Sequence, residues 1–377
     1  MFFLYRRGFE SAERIESFKG VKKSTLSRRG GSMNINSPIV EKTTREIIED
    51  YFKNTPKRCH IAIYAPFTNA RNAELEMIKR LENICNKHNI GCFILYNNNI
   101  IQNTELIGIH IDEIDTSHIL FCLSLHFCSP KTTNHFTLLA LWNPIQFYSQ
   151  EALEDAYKMD GYLSAHSDYV DNFIKSKSNK PFFGYLNTST NSPILDLTLG
   201  RYNCFYAGMN WKISEDSLRN RIYSLIKYLD DSPILSCYGL TECWKQYKSY
   251  RGEIPFDGTS IIDKIHQCGI CLVLSSSLHI DEGICSCRIF EGLAAGVPII
   301  ADKNPFFEKW FGDNLFYIDT EDAMVAAGQI YDYIDYFKSN PEETMAKMEN
   351  CRKVFLENFL LDRQLLEVIE NVKKIRA

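Results

Sequence analysis

Arg288 and Glu291 stand three residues apart in the segment 275–302, SSSLHIDEGICSCRIFEGLAAGVPIIAD. On a helix that spacing puts a fixed cation and a carboxylate on one face. A ligand carrying adjacent phosphates and a vicinal diol asks for both, a cation or helix N-terminus for the phosphates and a carboxylate for the hydroxyls. Ser276 and Ser277 follow an apolar run at 270–274, where their hydroxyls and amides suit phosphate oxygens, and His279 comes next. Gly208 closes another apolar run, NCFYAG, and a glycine there lets backbone amides approach a phosphate.

These residues need a rigid frame. The run 270–274 reads as a strand, a helix enters near Arg288, Gly296-Val297-Pro298 makes a turn, and a further strand follows, which is one βαβ unit. Strands at 60–67, 91–97, 118–127 and 160–166 alternate with helical patterns, one of them carrying Leu75, Ile78, Leu81 and Ile84 behind Thr68 or Asn69 as a cap. The pattern restarts with strands at 203–208 and 232–239 and a helix over 258–268. After Asp302 helices are expected at 304–311, 320–337, 341–358 and 361–376, the third opened by Asn340-Pro341. The fold class is α/β, with two Rossmann-like doubly wound domains and a helical C-terminal tail. The expected divisions are a basic, mobile leader at 1–38, a first domain at 39–199, a second at 200–340 and C-terminal helices at 341–377.

The run Arg288-x-Phe290-Glu291-x-x-Ala294-x-Gly296-x-Pro298-x-x-x-Asp302 resembles the donor-site motif of GT-B glycosyltransferases, in particular the spore-maturation-type and group 1 glycosyltransferase-like families. The resemblance implies that Glu291 bonds the ribose hydroxyls of a nucleotide-diphosphate-sugar and that Arg288 faces the diphosphate. Tyr250-Arg251-Gly252 is similar to the tyrosine-x-glycine before the donor-site helix. Many retaining members carry two glutamates separated by seven residues; Glu282 and Glu291 are separated by eight. The segment also resembles the fucosyltransferase pattern, with Cys287-Arg288 where an acidic-basic pair stands in that family.

Sugar transfer is the implied activity, the second domain binding the donor and the first presenting an acceptor hydroxyl. Arg288, with the amides near Gly208, would stabilise the departing diphosphate, and Glu282 would face the sugar. Arg219 or Arg221 are further cations nearby. His126 and His135 flank the loop after a predicted strand, and histidine is a residue type suited to general-base work. Trp142, Phe147 and Tyr148 suit either stacking on a sugar or a place in the core. No cofactor beyond the donor substrate is expected. Metal independence follows from a cation and helix dipoles serving the phosphates, with Asp112 to Asp115 read as a solvated turn. An epimerase of the same architecture and a non-catalytic nucleotide-binding module are the alternatives.

Composition bounds the partners. With 377 residues, 45% hydrophobic and 24% charged, the chain suits a soluble two-domain protein. A net charge of −5 makes nucleic acid an improbable partner and leaves glycan, lipid-linked or protein acceptors. No apolar run approaches the ~20 residues of a membrane span, though the basic leader allows peripheral contact with an anionic surface. Thirteen cysteines, odd in number and set mostly in apolar runs, suit reduced thiols in the cytoplasm. The spacing of Cys268/Cys271 and Cys285/Cys287, with His266 and His279 near, argues poorly for zinc.

Overall fold

Two parallel sheets carry the architecture in a computed structural model that describes residues 42–65, 73–96, 99–125, 131–208 and 217–376. In the first half helix α1 (Thr44–Asn54) precedes β1 (His60–Tyr64), α2 (Ala73–Lys87), β2 (Gly91–Tyr96), β3 (Ile100–Ile101), β4 (Phe121–Ser124) and β5 (Thr137–Ala140). There follow α3 (Gln150–Ala156), β6 (Gly161–Ser164), α4 (Asp168–Lys177) and β7 (Phe182–Tyr185). The strand order is β3-β2-β1-β4-β5-β6-β7, parallel throughout except for β3. Order reverses between β1 and β4, as a doubly wound sheet requires.

The second half starts with β8 (Asn203–Ala207), α5 (Ser217–Leu229), β9 (Leu235–Tyr238), α6 (Thr241–Trp244), α7 (Ser260–Cys268) and β10 (Gly269–Val273). It continues through α8 (Ser277–Asp281), α9 (Cys287–Ala295), β11 (Ile299–Asp302), α10 (Pro305–Phe311), β12 (Phe316–Ile318), α11 (Ala323–Ser339), α12 (Pro341–Asn358) and α13 (Leu361–Arg376). Its sheet, β12-β11-β10-β8-β9, is wholly parallel and reverses order between β8 and β10. The strands are buried on both faces and correspondingly apolar along their length, β10 being Gly-Ile-Cys-Leu-Val without an exposed residue.

Four strands depart from the sequence reading. β3 is a two-residue run, β5 and β7 are four-residue runs hidden beside longer apolar segments, and β12 lies between the helices expected at 304–311 and 320–337. Such lengths carry too few residues for periodicity to declare itself.

The two final helices part company. Cys351 and Phe355 of α12 join the core beneath α7 and α9, whereas Leu361, Leu365, Val368, Ile369 and Val372 of α13 pack into the core of the first sheet beside Ile78, Leu81 and Phe183. Asn371 Nδ2 donates to Phe183 O at 2.9 Å, and Arg58 pairs with Glu370 at 2.5 Å. The chain therefore crosses back and ties its own two halves together. Residues 195–198 lie along the second half, with Leu195 N donating to Ala294 O and Thr198 N to Gly296 O, both at 2.8 Å.

Candidate functional site

Helix α9 ends at Gly296, whose φ of 70° is left-handed and whose absent Cβ would stand 2.4 Å from Asp196 O. Its start is capped by Ser286, the hydroxyl accepting from Arg288 N at 3.3 Å. That N-terminus opens onto a cavity of about 240 Å³. The walls come from the carboxyl end of β8 (Tyr206, Ala207, Gly208), that of β10 (Leu272, Leu274), Ile222 and Tyr223 of α5, and Ser276, Ser286 and Arg288. It sits at the point where strand order reverses, the position at which open α/β sheets bind ligands.

Arg288 is 14% exposed, pairs through Nη1 with Glu291 Oε2, and lies over the Phe205 ring at 5.6 Å. Its Nη2 donates to Ala207 O at 3.4 Å, and its Nε is buried without a hydrogen-bond partner. Ser276 caps α8, and its hydroxyl lies 2.7 Å from His279 Nδ1. Ser277 begins the same short helix. Gly208 borders the cavity and accepts through its carbonyl from Trp244 Nε1 at 2.8 Å. The structure thus gathers Gly208, Ser276 and Arg288 around one space.

The other expected residues face elsewhere. Glu291 is 1% exposed, its Oε1 held by Arg80 Nη2 at 2.6 Å and its Oε2 by Arg288. Glu282, also 1% exposed, accepts from Ile145 N at 2.7 Å and Gln146 N at 3.3 Å, while its carbonyl accepts from Ser167 Oγ. Burial pushes the Glu282 carboxyl up, and the two amides of the first half pull it back. The His279 ring meets Phe147 edge-on at 5.5 Å, again across the two halves. Tyr250 gives its hydroxyl to Gly239 O at 3.1 Å, and Gly252 O accepts from Gly239 N at 3.3 Å, both beside β9 and outside the cavity wall.

His126 lies outside the described residues, as does the arm 1–38 and the Thr68 or Asn69 cap. His135 is fully buried with Nε2 3.0 Å from Ile111 O. Trp142 is buried, donating Nε1 to Leu186 O at 2.5 Å, and Tyr148 is buried with it. Beneath Ser276, the Ser275 amide donates to Asp302 Oδ2 at 2.6 Å and Ser275 O accepts from Arg221 Nη2 at 3.0 Å. Arg221 also donates to Thr320 Oγ1 at 2.7 Å and so braces the floor of the loop. The described cysteines are free thiols, and among the described residues no three His, Cys, Asp or Glu side chains are arranged to hold a metal ion. Among them, too, no helix is long and apolar enough to cross a membrane.

Arg80 was not singled out by sequence. The available signal was its register: it stands among Met77, Leu81 and Ile84 on the buried side of α2, where a charged residue needs a partner.

A family described as glycosyl transferase-like matches residues 223–370, from within α5 into α13. The fold superposes on an alpha-glucosyltransferase solved with UDP and a 13-mer DNA, with a TM-score of 0.54, 9% identity, and coverage of 83% of this chain and 99% of that one. It superposes likewise on the pneumococcal O-GlcNAc transferase GtfA solved with UDP and GlcNAc (TM-score 0.55, 8% identity, 84% and 99% coverage). The chain has the GT-B fold. A glycosyltransferase from Rickettsia africae ESF-5 shares the fold with this chain at a TM-score of 0.53 and 14% identity, over 85% of this chain and 99% of its own. No curated protein matches it in sequence. At these identities the superpositions speak for the fold, whose second sheet carries the cavity.

Proposed function

We propose that this protein transfers a sugar from a nucleotide-diphosphate-sugar to an acceptor hydroxyl, with the donor seated against the second sheet. The observation that carries the reading is the cavity at the β8/β10 switch point, bordered by the α9 N-terminus and by Arg288, whose Nε has no partner. A departing diphosphate develops negative charge there, and the helix end with the guanidinium supplies the opposite charge without reorganisation. Gly208 and Ser276 contribute backbone and hydroxyl contacts to the same anion. Glu291 takes the ribose diol once its carboxylate is released from the first half. The reading needs no divalent ion, so turnover is expected to survive chelation.

Residues 39–199 act as the acceptor half and 200–340 as the donor half, with α13 as the strap between them. The acceptor is a glycan, lipid-linked or protein hydroxyl. The many reduced thiols fit a cytoplasmic setting. Glu282, with both oxygens bonded to first-half amides, is better suited to holding the halves in register than to touching the sugar.

The test is a thermal-shift and turnover screen against uridine-, guanosine-, adenosine- and cytidine-based sugar nucleotides, following nucleotide release and sugar identity together. A ligand of the native state raises the melting temperature. A shift with slow nucleotide release is expected, and Arg288→Ala should weaken diphosphates far more than nucleosides. A sugar altered without an acceptor would mean an epimerase, and the absence of any shift would refute the nucleotide-sugar reading.

A further inference from the structure

Arg80 is 2% exposed on α2, in the first half, yet it reaches into the second. Its Nε donates to Gly258 O at 3.2 Å and its Nη1 to Ser189 O at 3.3 Å, with Met77 Sδ at 4.0 Å. Its Nη2 serves Glu76 Oε1 at 3.2 Å and Glu291 Oε1 at 2.6 Å. A guanidinium has five N–H donors, and these five contacts use them all. No donor remains for a substrate phosphate, so Arg80 is not a ligand of the donor.

Its effect falls on Glu291. That carboxylate is buried and bonded at both oxygens, by Arg80 from across the interface and by Arg288 from its own helix. Each of its oxygens can accept a second bond, but at 1% exposure a vicinal diol reaches them only when a covering group moves aside. Arg288 sits one turn away on the same helix and borders the cavity, so its bond can persist as the diol arrives. The Arg80 bond spans the two halves and closes off the carboxylate.

We propose that Arg80 is a positioning residue that competes with the donor's ribose for Glu291, so that seating the donor requires Arg80 to let go. The proposal rests on the ribose role given to Glu291 above. Glu76 is the recipient the structure provides. It precedes Arg80 by one helical turn, and its Oε2 is buried without a hydrogen-bond partner. Arg80 can therefore exchange Glu291 for a second bond to Glu76, and neither buried charge is left alone. Donor entry and the contact between halves become linked: occupying Glu291 loosens one of the bonds that fix α2 against Gly258 and α9.

The experiment is isothermal titration of the full chain with uridine diphosphate and with its 2′,3′-dideoxy counterpart. Arg80→Met removes the competitor and keeps the apolar stem, so uridine diphosphate should bind at least fivefold tighter while the dideoxy compound is unchanged. Glu76→Gln removes the recipient's charge, so uridine diphosphate should bind at least threefold weaker. Opposite signs for the two variants cannot come from general loosening, which weakens both.

If Glu291→Ala weakens uridine diphosphate but Arg80→Met binds it no tighter than the native protein, the competitor is refuted and the ribose role stands. If Glu291→Ala leaves binding unchanged, the ribose role falls and the proposal with it. Should Arg80→Met fail to fold, Arg80→Lys tests the same point. A point charge cannot reach Gly258, Ser189 and Glu291 together, so a gain of twofold or more is expected, and native affinity would refute the competition.

Discussion

Asp302 at the carboxyl end of β11 is 1% exposed, and burial raises its carboxyl to about 7, against the pull of the Ser275 amide and of Arg221. One oxygen accepts from Ser275 N; the other is buried without a partner. In the unfolded chain the group titrates near its ordinary 3.8. Between those values the native state binds the proton and the unfolded state does not, so stability falls as pH rises through the window. A separation of about three units corresponds to roughly 4 kcal/mol. Asp302→Asn keeps an acceptor for Ser275 N and removes the charge. The variant should gain on the native protein by roughly that amount between pH 4 and pH 7, with no further change above it.

The difference between the two proteins is the quantity to measure, because histidines titrate in the same window with the opposite sign and cancel in the subtraction. Melting temperatures of both proteins across pH 4 to 8 suffice: at this size the predicted change is about 5 °C. Parallel profiles would refute the argument and mean that Asp302 is charged in the fold at neutral pH, held by Arg221.

The opposite slope belongs to His60, which burial, aided by His118 and Lys57, lowers to about 4 from 6.5. Here the unfolded state takes the proton first, so stability is lost as pH falls from 6.5 through 4. His60→Gln should flatten that limb by about 3 kcal/mol in acid melting curves. Gly296→Ala places a Cβ at a φ of 70° and 2.4 Å from a backbone carbonyl, which should lower stability by roughly 2 kcal/mol or more in urea unfolding, while Gly292→Ala, with contacts no closer than 3.1 Å, should cost less.

Much of the fold was legible because its signals are local. The strands at 60–64, 91–96, 203–207 and 269–273 are apolar runs bounded by turn residues, and Pro341 and Gly296 mark helix boundaries by backbone chemistry alone. The switch point was out of reach at that level. That β8 lies beside β10 rather than between β9 and β11 is decided by long-range packing, and with it the place of the cavity. Strands of three and four residues, such as β12 and β7, become strands through the neighbours they pair with.

At the site, Arg288 and Glu291 could be paired from sequence because one helix fixes their spacing. What Glu291 meets from the other side could not, since Arg80 lies 211 positions away. The same holds for Glu282, whose partners are backbone amides that no side-chain pattern announces. Both glutamates of the donor-like segment thus serve as fasteners to the first half, and both are nearly inaccessible. A carboxylate this buried meets a new ligand only when a group that covers it moves aside. On the ribose role proposed for Glu291, its place between the two halves makes donor binding and the contact between the halves one equilibrium.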